Sequence, residues 1–243
     1  MSAEGTRRPG GWLAIILASI AGIAVGVAAM LFFRGGVSDE RIGEAAHNYI
    51  MANPQILPEA MEELERRQAA QAIEPRRAQF ETPFAGAWAG ARDGDVVLVE
   101  FFDYACGFCR SSNETVDRLL AEDPRLKVVW RELPVLGPDS QQAALASLAA
   151  AEQGRFRQFY NALFAVGRPT REAVAAAAAQ AGVQPGAPSE AHRAELARNM
   201  ELANLVKASG TPTFIVGDRI FHGAVPYEDL KAAIDEARAR LAS

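Results

Sequence analysis

The fold of this 243-residue chain is decided by the stretch VVLVEFFDYACGFC, which occupies positions 96–109. Residues 96–102 form a continuous apolar run of strand length and composition, as expected for a buried central strand. Residues 110–121 then have the pattern of a helix. The stretch therefore predicts a buried strand that leads through a turn into a helix, with two cysteines, Cys106 and Cys109, at the junction.

The spacing of the two cysteines indicates redox chemistry. Thiols separated by two residues approach each other in the first turn of a helix, where unpaired backbone N–H groups and the helix dipole favour a thiolate at Cys106. Cys109, one turn further along, is placed to attack a mixed disulfide formed on Cys106, as thiol–disulfide exchange requires. Two other interpretations are open at this point: a structural disulfide, or half of an intermolecular zinc site.

The overall composition excludes several classes of protein. The chain carries 25 Lys+Arg against 30 Asp+Glu, a formal net charge of -5, so no basic surface for nucleic acid is expected. With 2 cysteines it is neither a disulfide-stapled miniprotein nor the holder of a four-cysteine zinc site within one chain. We therefore expect a globular protein whose chemistry uses no metal and no other cofactor.

Glu100 interrupts the apolar strand six residues before Cys106. A buried carboxylate is unfavourable unless it is paired or protonated, so this residue is predicted to move protons to or from Cys109 during exchange. The alternative is a carboxylate at the edge of the sheet that reaches water.

The tripeptide Thr211-Pro212-Thr213 lies between a predicted helix and a predicted strand. A proline at the start of a strand removes a hydrogen-bond donor, which is tolerable at the first residue of the strand or at a cis bond. A cis Pro212 beside the cysteines would leave the backbone of Thr211 free to pair with a substrate chain. An ordinary trans turn is the alternative.

The segments around the cysteine motif predict an α/β domain. Their order is a strand–helix–strand unit, a block of helices, and a hairpin followed by a helix. The expected positions are strands at 84–88, 96–102, 126–130, 213–216 and 219–222, a helical insertion at about 137–208, and a last helix at 225–241.

The N-terminal segment sets the expected compartment. Residues 12–33 form a run of 22 residues without a charge, long enough as a helix to cross a hydrocarbon core of roughly 30 Å. Arg7 and Arg8 precede it, so residues 1–11 are predicted to be cytoplasmic and the remainder to lie on the opposite side of the membrane. The preferred interpretation is a single uncleaved transmembrane anchor. A cleaved signal peptide, which would leave a soluble periplasmic protein, is the alternative.

Residues 38–79 form a polar, helix-prone arm that precedes the α/β domain at 83–243. A narrow apolar stripe follows its second helix at spacings of four, three and four, as in a coiled-coil seam: Leu57, Met61, Leu64 and Gln68. Because so thin a stripe is most easily buried against a copy of itself, the arm is predicted to form a homo-oligomer, with a trimer favoured. The alternative is a helix that lies on its own domain.

Together these features resemble a known family. The stretch from Glu100 to Cys109, the helical insertion and the Thr211-Pro212-Thr213 tripeptide resemble the DsbA-like branch of the thioredoxin superfamily. The arm, especially ANPQILPEA at 52–60, resembles the N-terminal segment of the ScsC (suppressor of copper sensitivity) thiol proteins. The resemblance implies a thioredoxin fold with a helical insertion.

The resemblance also implies roles for individual residues. One departure is the dipeptide between the cysteines, since the strong oxidase DsbA has Pro-His where this chain has Gly-Phe. Without that histidine, one contribution to thiolate stabilisation is missing. The implied roles are Cys106 as nucleophile, Cys109 as resolving cysteine, Glu100 as buried acid, Pro212 as cis-proline, and Gly107, Phe108 and Thr211 as substrate contacts.

The activity that the resemblance implies is that of a periplasmic disulfide isomerase or reductase. It would lie on the periplasmic side of the bacterial inner membrane, with residues 12–33 as its anchor. Its substrates would be proteins with disulfides or thiols, and a ScsB-like membrane thiol reductase would keep it reduced. A DsbA-like dithiol oxidase is the alternative within the same chemistry. An alternative of another class is a copper-binding or copper-tolerance protein that uses the two thiolates as soft ligands for Cu(I).

Overall fold

A computed structural model of the protein describes residues 11–34, 39–184 and 186–241. The chain divides into two compact units, Met1–Ala60 and Met61–Ser243. Within the described ranges the helices and strands follow in this order: α1 (Gly11–Arg34), α2 (Asp39–Ala52), α3 (Ile56–Ile73), α4 (Arg77–Glu81), β1 (Trp88–Gly90), β2 (Val96–Phe102), α5 (Gly107–Glu122), β3 (Leu126–Glu132), α6 (Pro138–Glu152), α7 (Phe156–Val166), α8 (Arg171–Ala181), α9 (Glu190–Leu205), β4 (Thr213–Val216), β5 (Arg219–His222) and α10 (Tyr227–Leu241).

The first unit contains α1, which covers the segment predicted to be a membrane anchor. None of the helices formed by the described residues combines the length and hydrophobicity that a membrane span requires. The structure therefore does not support the transmembrane prediction for 12–33. Residues 1–10 of the predicted cytoplasmic end lie outside the described residues.

The arm forms two helices, as the sequence predicts. α2 and α3 are interrupted at Pro54, because proline disfavours helical backbone in the residue before it. The apolar stripe of α3 is accessible, with more than half of the surface of Leu57, Met61 and Leu64 exposed. Near the end of the same helix, Ile73 is fully buried in the core of the second unit.

The second unit is built around a sheet whose strands have the order β1-β3-β2-β4-β5. β2 and β3 are parallel and connected through α5, whereas the other neighbouring strands are antiparallel. The hairpin between β4 and β5 turns at Gly217, whose φ of 54° lies in the left-handed region that favours glycine. Because β2 is the central strand, the cysteine motif leaves the sheet from its middle.

The side chains of β2 alternate between two hydrophobic layers, because successive residues of a strand point to opposite faces. Val99 and Phe101 pack on one face with residues of α3, α4 and α9. Leu98 and Phe102 pack on the other face with residues of α5, α7 and α10. The sheet is thus covered by helices on both faces, and α6 to α9 form the predicted insertion between β3 and β4.

The first strand lies further along the chain than the sequence predicts. The strand expected at 84–88 is observed at Trp88–Gly90, where it pairs with β3 as a short edge strand. Residues 84–87 form a turn instead, in which the Ala87 N–H donates to the Phe84 carbonyl at 2.9 Å. The apolar character of this segment comes from Phe84, which packs against the core from the turn.

Arg131 joins β3 to two other parts of the second unit. Its side chain is buried, and a buried charge is tolerated only when it is paired and hydrogen-bonded. The guanidinium meets this requirement with five acceptors from the α4 region and α9: the carbonyls of Phe80 (3.0 Å), Thr82 (2.7 Å) and Gln79, Glu195 Oε1 (3.0 Å) and Asn199 Oδ1 (2.9 Å).

We expect the variant Arg131→Met to lower the free energy of unfolding by about 3–5 kcal/mol, because it leaves the Glu195 carboxylate buried without its partner. Arg198 is a matched control, since it also pairs with Glu195, at 3.4 Å, but its side chain is 59% exposed. Arg198→Met should change the same quantity by no more than about 1 kcal/mol. Denaturant unfolding followed by circular dichroism measures both values, and equal losses would contradict the assignment.

Candidate active site

Cys106 caps the N-terminus of α5. Its backbone is extended, and its Sγ accepts a hydrogen bond from the Cys109 N–H at 3.4 Å. The same sulfur donates to the Thr211 carbonyl at 3.1 Å. Cys106 is 7% exposed and Cys109 is fully buried, and both thiols are free. Of the two cysteines, Cys106 is the less deeply buried.

The surroundings of Cys109 keep it protonated. Burial raises the pKa of the Cys109 thiol far above its ordinary value, and Glu100 raises it further when that carboxyl is ionised. At Cys106, by contrast, the backbone N–H of Cys109 donates a hydrogen bond to the sulfur. The pair therefore consists of one sulfur that accepts a backbone N–H at the start of the helix and one fully buried thiol.

Glu100 is fully buried on the central strand. Its Oε2 accepts a hydrogen bond from Trp130 Nε1 at 2.8 Å, while Oε1 has no partner among the described residues. Loss of solvation raises the pKa of Glu100 to about 8, and the hydrogen bond from Trp130 only partly opposes this shift. The alternative of a carboxylate that reaches water at the sheet edge is therefore wrong, and the group is largely protonated at neutral pH.

The Thr211–Pro212 peptide bond is cis, in agreement with the sequence prediction. Pro212 precedes β4, and its carbonyl accepts a hydrogen bond from the Gly223 N–H at 2.8 Å. The Thr211 carbonyl meets the Cys106 sulfur directly. The loop before β4 is thus part of the site, although more than a hundred residues separate it from the cysteines in sequence.

Gly107 and Phe108 occupy the first turn of α5 and are exposed. The Phe108 carbonyl accepts hydrogen bonds from the hydroxyl groups of Ser111 and Ser112, both at 2.9 Å. Its side chain is 66% exposed. The dipeptide therefore presents backbone and one aromatic ring to solvent beside the accessible sulfur.

Asp103 is a part of the site that the sequence analysis missed. Its Oδ1 accepts a hydrogen bond from the Ala105 N–H at 2.8 Å, and its Oδ2 accepts from the N–H groups of Val135 (2.9 Å) and Leu136 (3.0 Å). One buried carboxylate thereby ties the turn before Cys106 to the loop after β3. An acidic residue directly after a buried strand was the available signal, but two of its three partners lie more than 30 residues away.

The site offers two soft metal ligands, the sulfurs of Cys106 and Cys109. Nowhere in the described ranges are three or more His, Cys, Asp or Glu side chains grouped so that they could hold a metal ion.

Comparison with known families agrees with this geometry. Residues 97–235, more than half of the chain, match the model of the DSBA-like thioredoxin domain. The chain belongs to this family. Residues 40–71 also match the N-terminal domain of the copper resistance protein ScsC. Both resemblances stated from the sequence are confirmed.

Two solved structures resemble the chain in sequence as well as in fold. A thioredoxin-like oxidoreductase from Silicibacter pomeroyi is 36% identical, with a TM-score of 0.64, and the match covers 68% of this chain and 98% of that one. A periplasmic thioredoxin-like protein from Salmonella enterica serovar Typhimurium is 28% identical, with a TM-score of 0.63, over 67% of this chain and 95% of that one. Each neighbour is thus matched over nearly its whole length.

The curated relatives are much longer than the region they share with this chain. A Na(+)/H(+) antiporter, NhaA 3 of Salinispora tropica, is 34% identical over 156 residues, which is 61% of this chain and 24% of the antiporter. The chain therefore spans about a quarter of the length of the first curated relatives it matches.

The raised pKa of Glu100 predicts a loss of stability with rising pH. Below pH 4.5 the carboxyl is protonated in both states, whereas between pH 4.5 and about 8 it ionises in the unfolded chain but not in the folded one. The contribution of Glu100 to the free energy of unfolding therefore falls as the pH rises through this window, by on the order of 4 kcal/mol between pH 5 and pH 8. In Glu100→Gln, which keeps an oxygen for Trp130, that contribution should be absent from the unfolding free energy.

The measurement is denaturant unfolding of the reduced protein from pH 5 to pH 8. Glu114→Gln is the control, because this exposed carboxylate of α5 is hydrated in both the folded and the unfolded chain. Parallel pH curves for Glu100→Gln and the parent would refute the assignment of a buried, neutral acid.

Proposed function

We propose that the protein is a periplasmic thiol–disulfide oxidoreductase that acts on protein substrates as a disulfide isomerase or reductase. The observation that carries the proposal is the asymmetry of the cysteine pair. Cys106 is the less buried residue and its sulfur accepts a backbone N–H, one helical turn before the fully buried Cys109 thiol. A nucleophile and a resolving group within one turn are what thiol–disulfide exchange requires. Membership of the DSBA-like family supports the same chemistry.

The reaction begins at Cys106. Its thiolate attacks one sulfur of a client disulfide, a mixed disulfide forms, and the other client sulfur leaves as a thiolate. In isomerisation, a different client thiolate attacks the mixed disulfide, so the client disulfide is rearranged and the Cys106 thiolate is released without net oxidation. In reduction, Cys109 attacks the Cys106 sulfur instead, a Cys106–Cys109 disulfide forms, and two electrons pass to the client, which leaves with two thiols.

Glu100 is the proposed proton acceptor for Cys109. Cys109 must lose its proton before it attacks, and burial makes that loss unfavourable. The fraction of Glu100 that is ionised near neutral pH can take this proton, because burial places its pKa at about 8 and its Oε1 has no partner among the described residues. The proton returns to Cys109 when the disulfide is reduced again.

Thr211, Gly107 and Phe108 form the proposed contact surface for the client. In the reduced chain the Thr211 carbonyl accepts a hydrogen bond from the Cys106 thiol. Ionisation of Cys106 removes that donor and frees the carbonyl to accept an N–H of an extended client segment. Pro212 has no N–H of its own that would compete for this partner, and the exposed Phe108 ring offers an apolar contact beside the sulfur.

The arm favours an isomerase over the alternative dithiol oxidase. An isomerase needs a Cys106 that stays reduced, and an oligomer whose sites face one another shields them from oxidases. Residues 38–79 would form the oligomerisation arm and residues 83–243 the catalytic domain. The exposed stripe of Leu57, Met61 and Leu64 is the proposed seam, with a trimer favoured.

The proposed compartment and reducing partner follow from the same chemistry. Exchange among protein disulfides belongs to oxidising compartments, and one similar solved structure is described as periplasmic. In such a compartment the reduced pair needs a source of electrons, for which we propose a ScsB-like membrane thiol reductase. The reduction potential of the Cys106–Cys109 pair against glutathione decides between the isomerase and the oxidase.

The burial of Cys109 weighs against the copper-binding alternative. Cu(I) ligation by the pair would require both sulfurs as thiolates. Burial opposes ionisation of Cys109, and so does Glu100 when it is ionised, as the raised pKa of Cys109 records. The same features suit a resolving thiol that reacts only after a mixed disulfide has formed on Cys106.

The variant Cys109→Ser should accumulate a mixed disulfide with client proteins, because the resolving thiol is absent while the nucleophile remains. Incubation with a scrambled disulfide protein, alkylation and non-reducing electrophoresis would detect the adduct, and mass mapping should place it at Cys106. Cys106→Ser is the matched control and should form no adduct, since Cys109 is buried. Adducts in both variants, or in Cys106→Ser alone, would overturn the assignment of roles.

The double variant Leu57→Glu/Leu64→Glu should disperse the oligomer into monomers, because it places like charges along every seam. Each apolar side chain buried there contributes roughly 1.5–3 kcal/mol. Isomerisation of a scrambled client should fall while reduction of insulin persists, since the cysteine pair is unchanged. Light scattering on the purified chain measures the assembly, and Leu57→Met/Leu64→Met, which keeps the stripe apolar, is the control. A parent chain that is already monomeric would remove this argument for an isomerase.

A further inference from the structure

Glu132 is a buried carboxyl group that has no part in the exchange described above. It ends β3 and lies on the same face of that strand as Trp130, because side chains two residues apart share a face. Its Oε1 accepts a hydrogen bond from Ser147 Oγ at 2.8 Å. Its Oε2 is buried and has no partner among the described residues.

A chain of two hydrogen bonds connects Glu132 with the turn that carries Cys106. Tyr104 Oη and Ser147 Oγ are 2.8 Å apart, and all three side chains are buried. Ser147 gives its single hydrogen to Glu132, so the Tyr104 hydroxyl is the donor in its contact with Ser147. Tyr104 stands two residues before Cys106, and its ring is packed edge-on against Phe102 at 5.0 Å between centroids.

We propose that Glu132 is a positioning residue for the cysteine pair, which it holds in place through Ser147 and Tyr104. The inference rests on the proposed function, because it concerns the same dithiol. Asp103 holds the backbone of this turn by accepting a hydrogen bond from the Ala105 N–H. The hydrogen-bonded relay of Tyr104, Ser147 and Glu132 holds the Tyr104 side chain of the same turn. Both anchors come from the end of β3 or the loop that follows it.

The relay needs an oxygen at position 132 and does not need its charge. The charged groups that act on Glu132 are Glu195 of α9 and Arg131 of the same strand, with opposite effects. Burial raises the pKa of Glu132 to about 7, so both protonation states are present near neutral pH. In either state Oε1 can accept the hydrogen of Ser147. A glutamine at this position should therefore preserve the function and an aliphatic residue should abolish it.

Loss of the relay should shift the dithiol–disulfide equilibrium towards the disulfide. In the reduced chain the turn is held by hydrogen bonds such as that from the Cys109 N–H to the Cys106 sulfur. In the oxidised chain a covalent bond holds the same turn. Removing an anchor therefore loosens the reduced state more than the oxidised one, by about three- to tenfold in the equilibrium constant, as one net hydrogen bond allows.

The test is the equilibrium of the full chain with glutathione redox buffers, read as the fraction of Cys106–Cys109 disulfide after acid quench and alkylation. Tyr104→Phe and Ser147→Ala should each move the constant three- to tenfold towards the disulfide. Their double variant should move it no further than either single one, because both remove the same relay. Tyr160→Phe is the matched control. The Tyr160 ring packs against that of Tyr104, but its hydroxyl donates to Asn113 and takes no part in the relay.

Glu132→Gln should stay within twofold of the parent, and Glu132→Leu should shift in the same direction as Ser147→Ala. Unchanged constants in the folded Tyr104→Phe and Ser147→Ala variants, additive shifts in the double variant, or an equal shift in Tyr160→Phe would each overturn the inference. Exchange with a scrambled client is assayed separately. Failure of the parent in that assay would overturn the proposed function, while the glutathione constants would still decide the role of Glu132.

Discussion

The buried guanidinium of Arg131 is the constraint on which the second unit depends. It must find acceptors for its donors away from water, and it finds them at the end of α4 and on α9. α9 also bonds β3 through Asn199 Nδ2, which donates to the Glu132 carbonyl at 3.1 Å. The charge therefore fixes how the region before the sheet and the last helix of the insertion attach to β3, because few other arrangements would satisfy every donor.

β3 links this scaffold to the chemistry through the alternation of its side chains. Arg131 faces the layer formed with α4 and α9, whereas its neighbours Trp130 and Glu132 face the other layer. Trp130 supports the Glu100 carboxyl, and Glu132 supports Tyr104 through Ser147. β3 contains no cysteine, yet its residues Trp130 and Glu132 support two of the groups around the cysteine pair. A displacement of β3 would therefore move both Glu100 and Tyr104 relative to the sulfurs.

The local features of the fold were predictable from sequence because they depend on neighbouring residues. The apolar run that forms β2, the helix that begins after Cys106 and the hairpin at Gly217 each have their signal within a few positions. The cis bond at Pro212 was predictable because proline at the start of a strand leaves few conformations. β1 was misplaced, because the apolar Phe84 packs from a turn and the strand itself has only three residues.

The long-range polar contacts were beyond such an analysis. Asp103 looks like an ordinary turn residue until the loop at Val135 and Leu136 is placed beside it. Arg131 and Glu132 look like the solvent-facing end of a strand, and only the insertion, with Ser147 and Glu195, explains why both are buried. These buried polar groups bond partners that are distant in sequence, and one sequence does not reveal which residues come into contact.

Cys109 is more deeply buried than Cys106, and this difference affects how the pair responds to oxidative damage. A peroxide that reaches Cys106 would convert it to a sulfenic acid, the first step of a ladder whose next step, the sulfinic acid, is in general irreversible. Cys109 lies one turn away, its N–H already bonded to that sulfur, and its thiol can condense with the sulfenic acid to give a disulfide and water. Because Cys109 is itself shielded from solvent, the capturing thiol is not consumed first. The geometry that resolves a mixed disulfide thus also limits overoxidation of the nucleophile.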